Sequence, residues 1–408
     1  MIKFLLITLI ACTFLVTSCN NQQTKTQVNN SDMNYQPGTF GYDLDFLRTH
    51  DSVLVLRSGE TQVVVSPKYQ ARVFTSTAFG NESQSFGWIN YKAFKAGHDA
   101  HMNAYGGENR FWLGPEGGKY SLFFEAGKEM IFDNWKTPAP FDTEAWTVAE
   151  KNDQSVTMQK NMQLTNYAGT LLQLMAKRTV TILNQQSIID KISLEPDSLV
   201  IAVGYRTDNT ITNTGKTAWN VTTGMPCIWM LDMFKPSSKT TVVIPYKTGN
   251  NATAKVATTD YFGEIPANRI KYNNGILLFK ADGKSRGKLG IAPNRAKPVA
   301  GSFDAQNGVL TITMFDVEAN GKYLNQEWNT TKPAFSGDAV NSYNDGPLQD
   351  GSQMGPFYEI ESVSPAAFLA PGSSLSHQHS VFHFTGNKEG LDKIARKVLG
   401  ISLKDISF

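Results

Sequence analysis

Short runs of Val, Ile, Thr and aromatic residues, separated by Gly, Asn and Asp, fill this chain from Phe40 onward. That rhythm restricts it to a fold of antiparallel strands. The runs at 52–56 and 61–65 flank Gly59 and predict a hairpin. Further strands are predicted at 71–75, 120–124, 145–149, 156–159, 171–183 and 187–194, then at 200–207, 217–223, 240–246, 275–280, 309–315, 357–362 and 375–384. Asn274-Gly275 and Asn307-Gly308 are the strongest turn signals, because Asn-Gly accepts the positive φ of a tight hairpin. Only one segment has a helical period. Leu391, Ile394, Ala395 and Val398 recur between a capping Asn387 and a terminating Gly400. The expected fold is therefore all-β, a large antiparallel sandwich with a short C-terminal helix. The irregular stretches 81–119 and 316–356 are predicted as long loops, a common seat of function.

The N-terminus adds a second constraint. Lys3 precedes an apolar run from Phe4 to Phe14, and Val16-Thr17-Ser18 leads into Cys19. This is the layout of a secretory signal whose cleavage site resembles a bacterial lipobox. Residues 1–18 are expected to be removed and Cys19 to be lipidated, since acyl chains on one cysteine anchor a protein stably. Residues 19–38, rich in Asn, Gln and Thr, read as the lipidated Cys and a flexible tether, and 39–408 as the folded domain. The expected location is the cell envelope, on the periplasmic or surface side of a membrane.

Composition narrows the partners. The chain carries 38 basic and 36 acidic residues, with no basic arm or acidic tail, which gives no support for nucleic-acid binding. Cys12 lies in the signal and Cys19 is the lipid site, so Cys227 is the one cysteine left and no internal disulfide is expected. Its apolar neighbours predict a buried, inert thiol. There is no G-x-S-x-G elbow, P-loop, H-E-x-x-H or EF-hand loop, and no cofactor is implied.

Three segments carry candidate chemistry. In the Gly-rich stretch 105–118, Arg110 offers planar donors for vicinal hydroxyls or a carboxylate. Trp112 can stack on a sugar face, Glu108 and Glu116 can accept hydroxyl protons, and His98 and His101 lie just upstream. The alternative is a β-turn with an Arg–Glu ion pair and a core Trp. In the closing strands, alternation puts Glu359 and Glu361 on one face, and His377, His379 and His383 on one face with Phe382 and Phe384 opposite. If these strands pair, the carboxylates and imidazoles line one surface suited to acid/base chemistry near neutral pH. A His-x-His metal site or a solvated polar edge are the other readings, and no metal ligand set is assigned. Third, Asn344 and Asp345 lie in a turn-rich loop that offers ligand contacts or an ordinary Asx-turn.

Several segments together resemble the galactose mutarotase-like superfamily. They are Ser66-Pro67 with Ala71-Arg72-Val73, the strand ending Lys177-Arg178-Thr179-Val180, the turn Asn213-Thr214-Gly215, and the closing Tyr358-Glu359-Ile360-Glu361-Ser362 followed by Leu369-Ala370-Pro371-Gly372. More specifically the chain resembles an uncharacterised family of bacterial lipoproteins related to that superfamily. The resemblance implies a β-supersandwich with a sugar site on its concave face. It implies Glu361 or Glu359 as general base and Arg110 as a sugar contact. The superfamily's catalytic His shortly after the Asn-Thr-Gly turn has no counterpart in residues 223–229. The general acid for mutarotation then has to come from His98, His101 or a C-terminal His such as His377 or His379. The expectation is a membrane-anchored extracytoplasmic protein that recognises a carbohydrate, as an epimerase-like enzyme or, alternatively, as a non-catalytic glycan-binding or structural lipoprotein.

Overall fold

The computed structural model describes residues 34–249 and 255–408. The signal segment 1–18, Cys19 and residues 20–33 of the expected tether lie outside the described residues.

Helix α1 (Phe40–Arg48) leads into β1 (Leu54–Ser58), β2 (Thr61–Ser66) and β3 (Arg72–Thr77). A single turn, α2 (Ala93–Ala96), precedes β4 (Arg110–Gly114), β5 (Thr147–Lys151), β6 (Ser155–Thr165) and β7 (Leu171–Ile182). Helix α3 (Gln185–Ile192) is followed by β8 (Val200–Asn213), β9 (Cys227–Phe234), β10 (Thr240–Pro245), β11 (Ile270–Asn273) and β12 (Ile276–Lys280). The chain ends with β13 (Gly287–Ile291), β14 (Val299–Asp304), β15 (Val309–Phe315), β16 (Val340–Asn344), β17 (Tyr358–Val363), β18 (Ser374–Gly386) and α4 (Lys388–Leu399).

These strands form a ten-stranded sheet in the order β11-β12-β10-β14-β15-β18-β8-β7-β6-β5, a five-stranded sheet β13-β16-β17-β9-β4, and a small sheet β1-β2-β3. The two larger sheets stack through a shared apolar core that includes Tyr205, Ile211, Met230 and Ile360. The outer face of the large sheet is covered by α3 and α4, where Ile188, Ile192, Leu391 and Ile394 pack on Phe382 and Phe384. Burying each such side chain contributes about 1.5–3 kcal/mol, which fixes the large sheet as a rigid backing for the smaller one.

The turn chemistry is as the sequence dictates. Asn274 and Gly275 join β11 to β12 with φ of 45° and 79°, both in the left-handed region that a tight hairpin requires. Asn387 caps α4 by accepting from the Gly390 N–H at 2.8 Å, and Gly400 ends it in a left-handed conformation.

Other expectations are overturned. Residues 187–194 lie largely in α3, because Asn184 caps a helix by accepting from Ser187 N–H at 2.8 Å. Residues 40–48 are helical, started by Thr39 accepting from Tyr42. Segments 120–124 and 217–223 form no strand. Their aromatic residues Tyr120, Phe123, Phe124 and Trp219 are buried as loop-borne core. The stretches expected as Gly-rich or turn-rich loops contain β4 and β16, strands of the five-stranded sheet. Cys227 is buried in β9, and burial pushes its thiol up to about 12, as an inert core group requires.

Candidate functional site

Strand register decides which side chains of the five-stranded sheet face outward. Arg110, Leu231, Glu361 and Asn341 sit opposite one another across β4, β9, β17 and β16. Met233, Glu359, Tyr343 and Lys288 form the adjacent row across β9, β17, β16 and β13. Trp112 and Trp229 are paired in a third row. Side chains two residues apart share a face, so these rows build one surface. The 97–135 segment, Trp328 and the 343–357 segment wall it into a cleft of about 270 Å³.

Two ion pairs stand on that surface, each against an indole. Arg110 Nη2 meets Glu359 Oε1 at 2.5 Å, and its guanidinium lies 4.9 Å from the Trp112 ring centroid. Lys288 Nζ meets Glu361 Oε2 at 2.9 Å and lies 4.6 Å from the Trp229 ring centroid. Trp229 Nε1–H donates to the same Glu361 oxygen at 2.8 Å. The two indoles meet edge to face at 5.5 Å and 80°, the arrangement aromatic quadrupoles favour.

Burial governs the protonation of these groups. It raises the Glu359 carboxyl to about 8; Arg110 and Lys288 oppose that rise, and Glu361 adds to it. Burial alone would lower the Lys288 ammonium, but the carboxylates of Glu361, Glu116 and Glu359 carry it above its ordinary value. Glu116, also in the cleft wall, is raised by burial. Several polar atoms of this neighbourhood are buried without a protein partner among the described residues: Arg110 Nε, Trp112 Nε1, Trp135 Nε1 and Glu361 Oε1. Such groups cost free energy unless water or a ligand satisfies them.

His101 brings an imidazole to the cleft wall. Its Nδ1 lies 2.6 Å from the Trp135 carbonyl oxygen. A carbonyl only accepts, so Nδ1 carries the proton and, in the neutral ring, Nε2 keeps its lone pair. Phe132, 58% exposed, stacks on His101 at 4.5 Å at the cleft mouth.

The remaining expected site residues fall elsewhere. Strands β17 and β18 do not pair; they belong to different sheets, stacked face to face. His377, His379 and His383 therefore point into the layer between the sheets, while Glu359 and Glu361 point the opposite way; Glu359 lines the cleft, and Glu361 is fully buried against Lys288 and Trp229. The expected common surface of carboxylates and imidazoles is not formed. His377 Nε2 and His379 Nδ1 both lie 2.8 Å from Ser362 Oγ, and His379 Nε2 is 2.8 Å from Asp232 Oδ2. Asp232, His379 and Ser362 thus form a Ser-His-Asp sequence of contacts, but all three are fully buried and none lines the cleft. Glu108 is also interior, its Oε1 accepting from Ser76 at 2.7 Å and lying 3.0 Å from His383 Nε2. Asn344 binds the Gly283 N–H and the Ser285 carbonyl oxygen. Asp345 accepts from the Tyr343 hydroxyl at 2.8 Å and the Gly355 N–H at 3.0 Å. Asp345 thus props the 343–357 wall from behind, and neither Asn344 nor Asp345 lines the cleft, because both are buried in these hydrogen bonds. His98 stays in the 97–103 loop, 3.4 Å from Asn103 Nδ2.

Tyr343, from the candidate stretch that holds Asn344 and Asp345, lines the cleft, and Lys288, Trp229, Arg286, Trp135 and Trp328 line it without having been anticipated. Lys288 had a faint signal: in Gly287-Lys288-Leu289-Gly290 a cation alternates with an apolar residue.

The Slr1438 protein of Synechocystis is similar in structure, with a TM-score of 0.51 and 12% identity, over 83% of this chain and 97% of its own. A galactose mutarotase-like protein from Lactobacillus casei matches 81% of this chain and 100% of its own at 10% identity and a TM-score of 0.46. At such identities the likeness is one of fold, and the β-supersandwich expected from the sequence is the fold of this chain. No match was found among curated proteins. Residues 38–408 match the model of a family of unknown function, DUF6786, and the chain belongs to that family.

Proposed function

We propose that the protein recognises a carbohydrate in the cleft over Arg110, Trp112, Trp229, Lys288 and the Glu359/Glu361 pair. The observation that supports this reading is the combination of indoles and paired charges lining one concave surface. A pyranose presents apolar C–H faces to stack on indoles and a rim of hydroxyls that both donate and accept. Arg110 and Lys288 carry donors, and Glu359 and Glu116 carry acceptors, in the cleft lining, and these complement sugar hydroxyls. The test is thermal unfolding of the purified protein against neutral sugars, uronic acids and oligosaccharides. A ligand that binds only the folded state raises the midpoint. The reading expects a saccharide-specific rise that is lost in Arg110→Gln; no rise across the panel overturns it.

Turnover is a second reading, favoured by the raised Glu359 carboxyl, which holds or releases a proton near neutral pH. Opening a sugar ring needs a base at the anomeric hydroxyl and an acid at the ring oxygen. Glu359 or Glu361 fits the first role, and His101 in the cleft wall fills the second as the imidazolium, whose Nε2–H is the proton it gives the ring oxygen. Glu361→Gln and Glu359→Gln are expected to lose turnover, followed by NMR of anomer exchange, while still binding sugar. Undiminished exchange in both variants sinks this reading.

The envelope location completes the proposal. The Lys3-to-Cys19 pattern supports lipidation at Cys19 and attachment to a membrane. Labelling with a fatty-acid analogue in a bacterial host is expected to mark the wild-type chain and not Cys19→Ser; equal labelling of both contradicts it.

A further inference from the structure

Resting on the carbohydrate reading, we infer that the saccharide is acidic, and that Arg286 at the cleft mouth reads its carboxylate. Among the cleft cations, Arg110 and Lys288 are each ion-paired to a glutamate. Arg286 makes no ion pair with a carboxylate among the described residues, and its side chain is exposed to the cleft mouth. It is nevertheless held in place. Its guanidinium lies 3.8 Å from the Phe262 ring centroid, and its Nε donates to the Tyr343 hydroxyl at 3.3 Å. A guanidinium held over a ring and by a hydrogen bond has lost much of its freedom before the ligand arrives, which favours two-point binding of a planar carboxylate.

Of the carboxylates that would repel an acidic sugar, Asp99 accepts from the His101 and Met102 N–H groups, and the others are restrained by cations or burial. Glu361 is tied to Lys288 and Trp229, Glu359 is tied to Arg110, and burial favours the protonated forms of Glu359 and Glu116.

The test is calorimetric titration of the purified full-length protein with two matched pairs, D-galacturonate against D-galactose and D-glucuronate against D-glucose. At least one uronate is expected to bind about tenfold or more tighter than its neutral partner, the size of one charge-assisted contact. That ratio is expected to shrink with added salt, to fall to near one in Arg286→Gln and to be partly retained in Arg286→Lys. Equal binding within both pairs overturns the role of Arg286 while leaving the carbohydrate reading intact. A uronate preference that persists in Arg286→Gln also overturns it. If none of the four sugars binds, the role of Arg286 falls, and the carbohydrate reading falls with it if the oligosaccharides of the unfolding panel are silent as well.

Discussion

The two faces of strands β9 and β17 carry buried charge in opposite ways. On the inner face, Asp232 accepts from Asn109 Nδ2 at 2.5 Å and is bonded to His379, which continues through Ser362 to His377. These groups answer one another and are sealed between two sheets. On the outer face, Arg110, Glu359, Lys288 and Glu361 are also paired, but the pairs border a cleft that a ligand can enter. One step along a strand separates Asp232 from Leu231, and Ser362 from Glu361. The comparison teaches that acid, base and hydroxyl residues in close sequence do not define a site; the face each one takes does.

The inner network is expected to govern stability. Asp232→Ala strands His379 and Asn109 in a dry layer and should lower the unfolding free energy by about 3–5 kcal/mol, read from urea unfolding. A loss below about 1 kcal/mol would mean the layer is wetter than its burial implies.

Ligand affinity is expected to depend on the outer face. Trp112→Phe keeps an aromatic in the wall but removes the indole N–H, and Arg110→Gln removes the guanidinium. Each should weaken saccharide binding by about tenfold, roughly 1.4 kcal/mol. Asp232→Asn, a polar change on the inner face, should move affinity far less. Equal losses from both faces would break the comparison.

The two faces should also give opposite pH slopes. Burial, and then His379, lowers His377 from 6.5 to about 3. Between those values the unfolded chain binds more protons, so stability rises with pH there and is lost as pH falls, with a slope of up to about 1.4 kcal/mol per pH unit. Glu359 is raised from 4.5 to about 8. Over that window the folded chain binds more protons, so this contribution falls as pH rises. Urea unfolding as a function of pH should show the first slope removed in His377→Gln and the second in Glu359→Gln. Slopes unchanged from wild type in either variant would remove the corresponding assignment.

The smallest effect belongs to the mouth. Phe132→Ala removes an exposed ring, so stability should change by no more than about 0.5 kcal/mol. Oligosaccharide affinity should fall by about twofold to threefold if the ring stacks on an outer sugar, and titration with sugars of increasing length checks this.

The sheet framework was legible because β7, β8 and β18 alternate polar and apolar residues at a period of two. Strands β9 and β13 were not: both are buried throughout, so their alternation is weak or absent. Helix α3 was misread because its β-branched Ile188 and Ile189 outweighed the cap at Asn184. In the site, Arg110, Trp112, Glu359 and Glu361 could be named from residue chemistry and alternation. Lys288 and Trp229 could not, because their meeting with Glu361 depends on sheet neighbours distant in sequence. The histidines were chemically apt, yet the choice between sheet pairing and sheet stacking, which no local pattern encodes, decided where they point.

The most direct test of the account is intrinsic tryptophan fluorescence of the purified protein, titrated with the panel of neutral and acidic saccharides. Trp112, Trp135, Trp229 and Trp328 all line the cleft. The account predicts a saturable change with at least one saccharide, abolished or shifted about tenfold weaker in Arg110→Gln. A flat response across the panel, from a protein shown to be folded, would contradict the claim that this cleft is a carbohydrate site.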